Sequence, residues 1–363
     1  MKVAIVYDRV NKWGGAEKVL FALHEIFPDA PLYTSVYDEK KASWAKVFPK
    51  IYTSFLQKIP LAKGNHEFFG WLMPFAFESF DFDKYDLVIS VTSEAAKGII
   101  TKPKTQHICY CLTPTRYLWS HYDLYFKNKF LKFFSKPLVN YLRSWDKVAA
   151  QRPDKIIAIS TEVKNRIKKY YNRDPEIIFP PVEIPEVAIV NHSRGGYFLI
   201  VSRLVGYKRV DLAVKAFNKL KLPLIVVGTG SQANNLKLIA KNNIKFASQV
   251  SEQDLIKYYK GAKALIMPQE EDFGITAVEA QFFGVPVIAF KKGGALDTII
   301  DKRTGIFFLK QEVDSMMSAV AQFNQRPVFD RPSLVKNARR FSKDNFKKAI
   351  MGFLNKYNRM QKL

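Results

Sequence analysis

Two carboxylates that bracket seven residues mark the segment of this chain whose residue types could do chemistry. Glu271 and Glu279 enclose a Phe-Gly-Ile turn that is typical of the start of a helix. If the helix begins near Ile275, Glu271 lies in the loop before it and Glu279 lies one turn inside. The N–H groups at a helix start are unpaired and carry the positive end of the helix dipole. Gly274 would let a ligand approach the backbone closely, so the segment can hold sugar hydroxyls and a phosphate charge together.

Glu279 stands among the apolar residues Ala277, Val278 and Ala280. A carboxylate on such a face needs a polar partner, and a ribose diol would serve. The plainer alternative is that Glu271 and Glu279 are both solvated charges at a helix end.

A pair of cations, Arg203 and Lys208, follows a predicted buried strand with Gly206 between them. Arginine offers a two-pronged fork to phosphate oxygens, and lysine offers a mobile point charge. An ordinary solvated loop is the alternative, but the position after a sheet strand favours phosphate binding.

Two glycine turns could bring the backbone close to an anion. Gly14 and Gly15 stand between a predicted strand and a predicted helix, where the bare backbone can approach a diphosphate. They match neither a P-loop nor a dinucleotide fingerprint. Gly228 and Gly230 form a second turn, which simple turn chemistry explains as well as a ligand contact does.

These residues require elements that place them together, and short apolar runs alternate with helical patterns along the whole chain. Such alternation predicts an α/β fold of parallel sheets with crossover helices. The runs fall into two series, which predicts two doubly wound, Rossmann-like domains. Ligands of such sheets bind beyond the carboxyl ends of the strands, so we expect the site in a cleft that the two domains face. The predicted strands are 3–7, 32–36, 87–91, 107–111 and 155–159, then 197–202, 222–227, 244–246, 264–267 and 286–290.

A proline-rich segment at residues 179–185 predicts the domain boundary, because it cannot continue a helix or a central strand. We therefore predict an N-terminal domain at 1–183 and a C-terminal domain at 184–341. Ser342 could cap a last, basic helix at 342–363, which we expect to pack back on the first domain.

Composition restricts the partners. Lysine and arginine number 57 against 33 acidic residues, a formal charge of +24 that suggests nucleic acid, a phosphorylated ligand or an anionic membrane. Cys109 and Cys111 alternate on one predicted strand, so we interpret them as buried thiols in a reducing compartment. The first residues predict a buried strand rather than a signal peptide, and no apolar run has the length of a membrane-spanning helix. We expect a cytoplasmic or peripheral protein.

Two segments rich in aromatic residues could meet a membrane. Lysines alternate with aromatic residues at 125–136, which favours an interfacial helix on anionic lipid. The strongly apolar segment at 66–77 more simply packs into the first domain.

These pieces, in this order, resemble a family 4 glycosyltransferase of the GT-B architecture over nearly the whole chain. The chain is most similar to bacterial mannosyltransferase-like enzymes that build lipid-linked polysaccharides. The Glu-x7-Glu segment is the most specific motif. The others are the runs at 14–17, 180–182, 202–211 and 284–289, with the Thr-Pro-Thr-Arg-Tyr run at 113–117.

The resemblance implies retaining transfer of a hexose from a nucleotide sugar, with GDP-mannose the first candidate and UDP-hexoses open. It implies catalytic roles for Glu271, Arg203 and Lys208. The cations would bind the diphosphate, and Glu271 would hold sugar hydroxyls. The full donor set that it implies comprises Gly14, Gly15, Arg203, Lys208, Gly228, Val250, Glu271, Phe273, Gly274, Ile275 and Glu279.

By the same resemblance, Thr113 and Arg116 would face the acceptor, a lipid-linked or other saccharide in envelope polysaccharide synthesis. No cofactor and no metal are implied, because Arg203 and Lys208 can supply the positive charge. Leu112 stands where many relatives carry a histidine. His107 and His121 are nearby, and we predict both as surface residues. The implied location is the cytosolic face of the inner membrane.

Three alternatives stay open. A sugar-nucleotide epimerase shares the architecture, but it usually brings carboxylate and histidine groups for which we see no matching set. A non-catalytic nucleotide-sugar-binding protein would explain Leu112. A nucleic-acid binder would explain the charge, but no nucleic-acid motif supports it, and we expect no nucleic acid partner.

Overall fold

The structure is a computed structural model that describes residues 1–64, 66–120, 122–125, 128–183, 195–325 and 329–360. The chain divides into two compact units. The first comprises Met1–Pro181 and Phe346–Leu363, and the second comprises Val182–Asn345. Much of the predicted boundary loop, at 184–194, lies outside the described residues.

The described part of the first unit builds a seven-stranded, wholly parallel sheet in the order β3-β2-β1-β4-β5-β6-β7. Strand β1 is buried along its whole length, as its apolar sequence predicts. The strands are β1 (Val3–Tyr7), β2 (Leu32–Thr34), β3 (Ile51–Thr53), β4 (Leu87–Thr92), β5 (Gln106–Cys111), β6 (Lys155–Ala158) and β7 (Glu176–Ile177). The helices are α1 (Gly15–Ile26), α2 (Met73–Glu78), α3 (Tyr122–Tyr125), α4 (Lys129–Ala149) and α5 (Thr161–Tyr171).

The second unit repeats the plan with a six-stranded parallel sheet in the order β10-β9-β8-β11-β12-β13. Its core packs Phe198, Phe217 and Phe308 among aliphatic side chains on one face of the sheet. The strands are β8 (Tyr197–Val201), β9 (Leu224–Val227), β10 (Ile244–Ala247), β11 (Ala262–Met267), β12 (Val287–Phe290) and β13 (Gly305–Phe308). The helices are α6 (Val210–Leu220), α7 (Ala233–Ile239), α8 (Glu252–Lys260), α9 (Ile275–Phe282), α10 (Ala295–Thr298), α11 (Val313–Asn324) and α12 (Arg331–Arg339).

A last helix, α13 (Lys343–Met360), belongs for most of its length to the first unit. The Ser342 hydroxyl accepts a hydrogen bond from the Asn345 N–H at 3.3 Å, which is the predicted cap. Phe346 packs edge-on against Tyr110 of β5, with ring centroids 5.7 Å apart. Lys347 adds an ion pair with Glu25 at 3.0 Å.

Two predictions about individual residues have clear outcomes. Cys109 and Cys111 are free and buried, as predicted. His107 is fully buried rather than a surface residue, so that prediction is wrong. The reason is that β5 lies inside the sheet with both faces covered, and the His107 Nε2 atom meets the Ser90 hydroxyl at 2.8 Å. His121 lies outside the described residues.

The apolar segment at 66–77 divides between core and surface. Met73, Ala76 and Phe77 pack into the core of the first unit, as predicted. Phe68 and Phe75 are 83% and 50% exposed, so the prediction is wrong for those side chains. Neither side chain belongs to the core cluster that Met73, Ala76 and Phe77 join from the same short helical segments.

Candidate active site

The strand order of the second unit reverses between β8 and β11. Chain connections leave this pair in opposite directions, toward β9 on one side and toward β12 on the other. Such a point opens a crevice at the carboxyl edge of the sheet, where doubly wound folds bind ligands. The loop after β8 carries Arg203 and Lys208, and the loop after β11 carries Glu271.

Lys208 and Glu271 meet at this switch point. Lys208 Nζ donates to Glu271 Oε1, and the two side chains are only 10% and 17% exposed. The ammonium also lies 5.3 Å above the Tyr207 ring, which stabilises the cation. Two of the three predicted catalytic residues are therefore in direct contact, although 63 positions separate them in sequence.

Gln269 is a site residue that the sequence analysis missed. Its Nε2 donates to Glu271 Oε1 at 2.8 Å, and the residue is 2% exposed. Its Oε1 is buried without a hydrogen-bond partner among the described residues. Gln269 thus orients the Glu271 carboxylate and presents an unused acceptor atom. The available signal was a polar side chain two residues after the end of a buried strand.

The loop after β12 supports the backbone of Glu271. Gly293 forms a parallel bridge with Glu271, and the Gly294 N–H donates to the Glu271 carbonyl at 2.8 Å. A Cβ on Gly294 would lie 2.3 Å from the Phe273 Cα. This close approach admits only glycine, so the Gly-Gly pair sets the position of the acidic loop. The sequence analysis missed this pair as well.

Helix α9 begins at Ile275, as predicted. Gly274 is its N-cap with φ of +93°, a left-handed conformation that favours glycine. Phe273 is buried and packs edge-on against Phe341, with centroids 5.3 Å apart. The contact with Phe341 therefore fixes the position of the turn. The first N–H groups of α9 have no partner within the helix.

Arg203 occupies the outer part of the β8 loop. It is exposed, and its Nη2 donates to the Tyr207 hydroxyl at 2.5 Å. Gly206–Lys208 forms a short 3-10 turn that directs Lys208 inward, toward Glu271. The two predicted phosphate-binding cations thus share one loop but differ in burial.

Glu279 already has a partner within the chain. It is half-buried one turn inside α9, and its Oε2 accepts a hydrogen bond from the Tyr259 hydroxyl at 2.8 Å. Its burial alone therefore does not require a ribose, because Tyr259 of α8 already donates to one carboxylate oxygen. Ribose binding at Glu279 stays a prediction that rests on the resemblance alone.

The glycines after β9 are explained by packing. A Cβ on Gly228, with φ of +142°, would lie 1.9 Å from the Ser202 carbonyl oxygen. A Cβ on Gly230 would lie 2.4 Å from the Leu204 carbonyl oxygen. Both glycines therefore let the β9 loop cross the β8 loop. Val250 is half-buried just before α8, and nothing in the structure assigns it a ligand.

In the first unit, Gly14 and Gly15 are exposed and open α1, with Gly14 as the N-cap. Glu17 lies under this turn, 2% exposed, and accepts from the Tyr7 hydroxyl at 3.2 Å. Burial, partly offset by backbone and Tyr7 hydrogen bonds, raises the pKa of its carboxyl. The structure thus gives the Gly-Gly turn a buried support, and its contact with a diphosphate stays a prediction.

The switch point of the first unit, between β1 and β4, carries charged groups that the sequence analysis missed. The Asp8 carboxylate is buried and accepts from four backbone N–H groups at 93–96. Arg9 Nη1 lies 2.6 Å from Glu94 Oε1. The predicted acceptor residue Thr113, which follows β5, is 4% exposed, and its hydroxyl has no partner among the described residues. Arg116 is half-buried in the turn that follows.

Two features are absent from the described ranges. No group of three or more His, Cys, Asp or Glu side chains is placed to hold a metal ion. No helix has the length and apolar character to cross a membrane.

Comparison with known proteins agrees with this geometry. Residues 188–345 match the family model of the glycosyl transferases group 1. An uncharacterized glycosyltransferase of Methanocaldococcus jannaschii is 25% identical over 60% of this chain and 63% of its own length. A Corynebacterium glutamicum enzyme, named as a GDP-mannose-dependent monoacylated α-(1-6)-phosphatidylinositol monomannoside mannosyltransferase, is 31% identical over 35% of this chain and 37% of its own. The matched regions thus span less than two thirds of these relatives.

A solved structure extends the likeness to both units. Anabaena HepE in complex with UDP-glucose superposes with a TM-score of 0.72 at 17% identity, and covers 98% of this chain and 100% of that one. The fold is therefore the GT-B class of two Rossmann-like domains. Residues 188–345, which include the Lys208–Glu271 pair, are thus similar to the group 1 glycosyltransferases, and the predicted resemblance is confirmed.

Proposed function

We propose that this protein is a retaining glycosyltransferase that moves a hexose from a nucleoside-diphosphate sugar to a lipid-linked or saccharide acceptor. The observation that carries the proposal is the half-enclosed Lys208–Glu271 pair at the switch point of the unit that matches the family. A cation and a carboxylate on adjacent loops fit the two halves of a sugar diphosphate. The cation fits the phosphate charge, and the carboxylate fits the sugar hydroxyls.

Binding of the donor would separate Lys208 from Glu271. A diphosphate accepts strong hydrogen bonds from Lys208 and Arg203, which releases Glu271 to accept from sugar hydroxyls. Gln269 keeps the Glu271 carboxylate oriented while Lys208 turns to the phosphate. The backbone N–H groups at 273–275 add donors from a helix start. No cofactor and no metal are needed in this scheme, because the chain supplies the positive charge.

The reaction is a displacement at the anomeric carbon. The bond from C1 to the diphosphate oxygen breaks, and a bond from C1 to the acceptor oxygen forms on the same face of the sugar. The departing phosphate oxygen takes the proton of the acceptor hydroxyl, so the products are a nucleoside diphosphate and an α- or β-glycoside with the donor's configuration. The protein contributes positioning and stabilisation of the charge that develops on the diphosphate.

Mannose is the first candidate for the sugar. The Corynebacterium relative is named as GDP-mannose-dependent and acts on a phosphatidylinositol mannoside, whereas the Anabaena structure holds UDP-glucose. We therefore propose GDP-mannose first and a UDP-hexose second, with Thr113 and Arg116 of the first unit on the acceptor side. Envelope polysaccharide synthesis is the process that this donor and acceptor would serve.

We further propose that the protein works as a peripheral protein on the cytosolic face of the inner membrane. Helix α4 exposes Phe130, Phe133 and Phe134, which are 77%, 72% and 73% exposed, among lysines. Aromatic and basic side chains in one helix favour the interface of an anionic bilayer. Part of the predicted segment, at 126–127, lies outside the described residues.

Two measurements test the proposal. A panel of nucleotide sugars should raise the melting temperature only for the true donor, because a ligand of the folded state stabilises it by mass action. Transfer to a lipid-linked saccharide, followed by NMR of the anomeric proton, should then show the donor's configuration. Lys208→Met and Glu271→Gln should each abolish transfer, whereas Lys215→Met, an exposed lysine of α6, should not. A donor that binds without any turnover would indicate a non-catalytic binding protein, and an inverted product would refute retention.

A further inference from the structure

Helix α4 presents three different faces. Residues three and four apart lie on the same face of a helix. Val139 and Leu142 pack with Leu118 in a small buried cluster, which fixes α4 to the first unit. Phe130 and Phe134 belong to a solvent-facing side that continues to Leu138 and Tyr141, which are 44% and 47% exposed.

The third face borders a cavity of about 340 Å³. Three cations and two aromatic rings dominate its wall. The lining residues are Tyr122, Lys132, Phe133, Lys136, Asn140 and Arg143. Lys132, Lys136, Asn140 and Arg143 follow one another at spacings of three and four, so a single stripe of α4 supplies most of the wall.

Two of the three cations of this cavity, Arg143 and Lys132, are held in place by the Tyr122 ring. The Arg143 guanidinium lies 4.6 Å from the Tyr122 ring centroid, and its Nε donates to the Leu118 carbonyl at 2.7 Å. Lys132 Nζ lies 5.2 Å from the same centroid and 2.5 Å from an Asp123 carboxylate oxygen. Among the described residues, one carboxylate pairs with a cation of the cavity wall, so these lining residues keep a positive excess.

We propose that this cavity binds the phosphate of an anionic phospholipid headgroup. Lysine and arginine are the side chains that form charge-assisted hydrogen bonds with phosphate oxygens. The neighbouring exposed side of α4 indicates that the phosphate belongs to a lipid. Phe130 and Phe134 would insert at the boundary between headgroups and acyl chains, and the cavity would then lie at the depth of the headgroups. The inference deepens the proposed membrane location and rests on it. It assigns membrane binding to a defined phosphate site in addition to the overall positive charge of the protein.

Non-specific attraction between the basic protein and an anionic bilayer predicts a different pattern of lysine contributions. With a formal charge of +24, many surface lysines would contribute to binding an anionic bilayer, and each would count about equally. A headgroup site instead makes the lysines of the cavity count far more than other lysines of the same helix. Lys136 and Lys147 allow this comparison, because both are exposed on α4 and only Lys136 lines the cavity.

The experiment is flotation with vesicles of phosphatidylcholine alone and of phosphatidylcholine with phosphatidylglycerol. Wild-type protein should float with the anionic vesicles. Lys136→Gln should lower the partition coefficient about tenfold, the loss expected for one charge-assisted hydrogen bond. Lys147→Gln removes the same charge and should change it less than about twofold. Phe134→Ala should weaken binding to both kinds of vesicle. Equal losses for the two lysine variants would overturn the proposal in favour of general attraction, and so would no loss for either.

A second arm separates lipid from soluble phosphate. Inorganic phosphate at millimolar concentration should leave flotation of the wild type nearly unchanged, because it lacks the acyl chains that seat Phe130 and Phe134. Saturable binding of inorganic phosphate by a protein that does not float would overturn the lipid source. The nucleotide-sugar melting shift keeps the two hypotheses apart, since Lys136→Gln should retain it. A wild-type protein that shows the melting shift but does not float counts against this inference alone, and a wild-type protein that floats without the shift counts against the proposed function.

Discussion

Lys97 and Asp146 form an ion pair that is almost wholly excluded from water. Their side chains are 2% and 1% exposed, and Lys97 Nζ lies 2.6 Å from Asp146 Oδ1. Asp146 also accepts hydrogen bonds from Thr115, Trp119 and Tyr171 at 2.7–2.9 Å. Burial by itself lowers the pKa of Lys97, but the charge of Asp146 more than offsets it, so the pKa is raised. This pair ties the end of α4 to the turn after β4.

Lys97→Met should destabilise the first unit strongly. Removal of one partner leaves a carboxylate buried without its counter-charge, which costs about 3–5 kcal/mol. We expect the low end of that range, because three neutral donors still bond Asp146. The measurement is the free energy of unfolding from urea titration.

The matched control for this change is Lys46→Met. Lys46 pairs with Glu39 at 2.8 Å, but both side chains are more than 60% exposed. Surface pairs of this kind contribute little, so the control should unfold close to wild type. Equal effects of the two substitutions would mean that burial of Lys97 does not matter to stability.

His107 should make the protein sensitive to mild acid. Burial, with smaller contributions from Arg152 and Arg173, lowers the pKa of its imidazole from 6.5 to about 3. Between those values the unfolded chain binds a proton that the folded chain does not, so the free energy of unfolding falls as the pH falls from about 6.5. The slope contributed by His107 is up to about 1.4 kcal/mol per pH unit.

Urea unfolding of wild type and His107→Asn between pH 7 and pH 5 would isolate this slope. The variant cannot take up the proton, so its stability should depend less on pH in this window. Asparagine can still bond the Ser90 hydroxyl that meets His107 at 2.8 Å, which limits the loss at neutral pH. Parallel curves for the two proteins would show that His107 is not the group responsible.

The repeating plan of the fold could be predicted from local sequence. Strand β1 has the predicted bounds, because an apolar, β-branched run reports on local structure. Strands β3 and β7 were missed, since they have three and two residues at or near a sheet edge. Strand β13, Gly305–Phe308, was missed although it pairs fully with β12.

The site was less accessible to sequence reasoning, because its contacts are long-range. Motifs singled out Lys208 and Glu271, but only the strand order places their loops side by side. Gln269 has no motif, and its role appears only through its 2.8 Å contact. Glu279 shows the opposite error. Its apolar neighbours suggested that the carboxylate lacks a polar partner within the chain, whereas a tyrosine from another helix donates a hydrogen bond to it.

Gly294→Ala should displace the loop after β11 that carries Glu271. The added Cβ would lie 2.3 Å from the Phe273 Cα, so either loop must move, and overpacking of this kind costs about 1–3 kcal/mol. Because the Gly294 N–H also bonds the Glu271 carbonyl, donor affinity should fall along with stability. Thermal shift with and without nucleotide sugar measures both. Gly196→Ala, where a Cβ meets nothing within 4 Å, is the control and should do neither.

Gln269→Leu should lower activity without unfolding the second unit. The change keeps the side-chain volume roughly constant but removes the hydrogen bond that orients Glu271. A loss of one such bond is worth about 1 kcal/mol, so kcat/KM should fall about five- to tenfold. Gln325→Leu, on an exposed residue of the same unit, should leave kcat/KM unchanged. An unaltered kcat/KM for Gln269→Leu would remove Gln269 from the site.

Substitutions of Glu279 and Tyr259 test whether the Glu279 carboxylate binds the ribose. If Glu279 binds the ribose hydroxyls, Glu279→Gln should weaken a nucleoside diphosphate about tenfold, the loss expected for a hydrogen bond to a charged group. The same substitution should barely affect the 2′,3′-dideoxy analogue, which has no hydroxyls to lose. Tyr259→Phe removes the 2.8 Å bond within the chain and keeps the carboxylate, so it should retain the preference for ribose. Equal weakening of both nucleotides by Glu279→Gln would show that the Glu279–Tyr259 bond only supports α9 and that the ribose binds elsewhere.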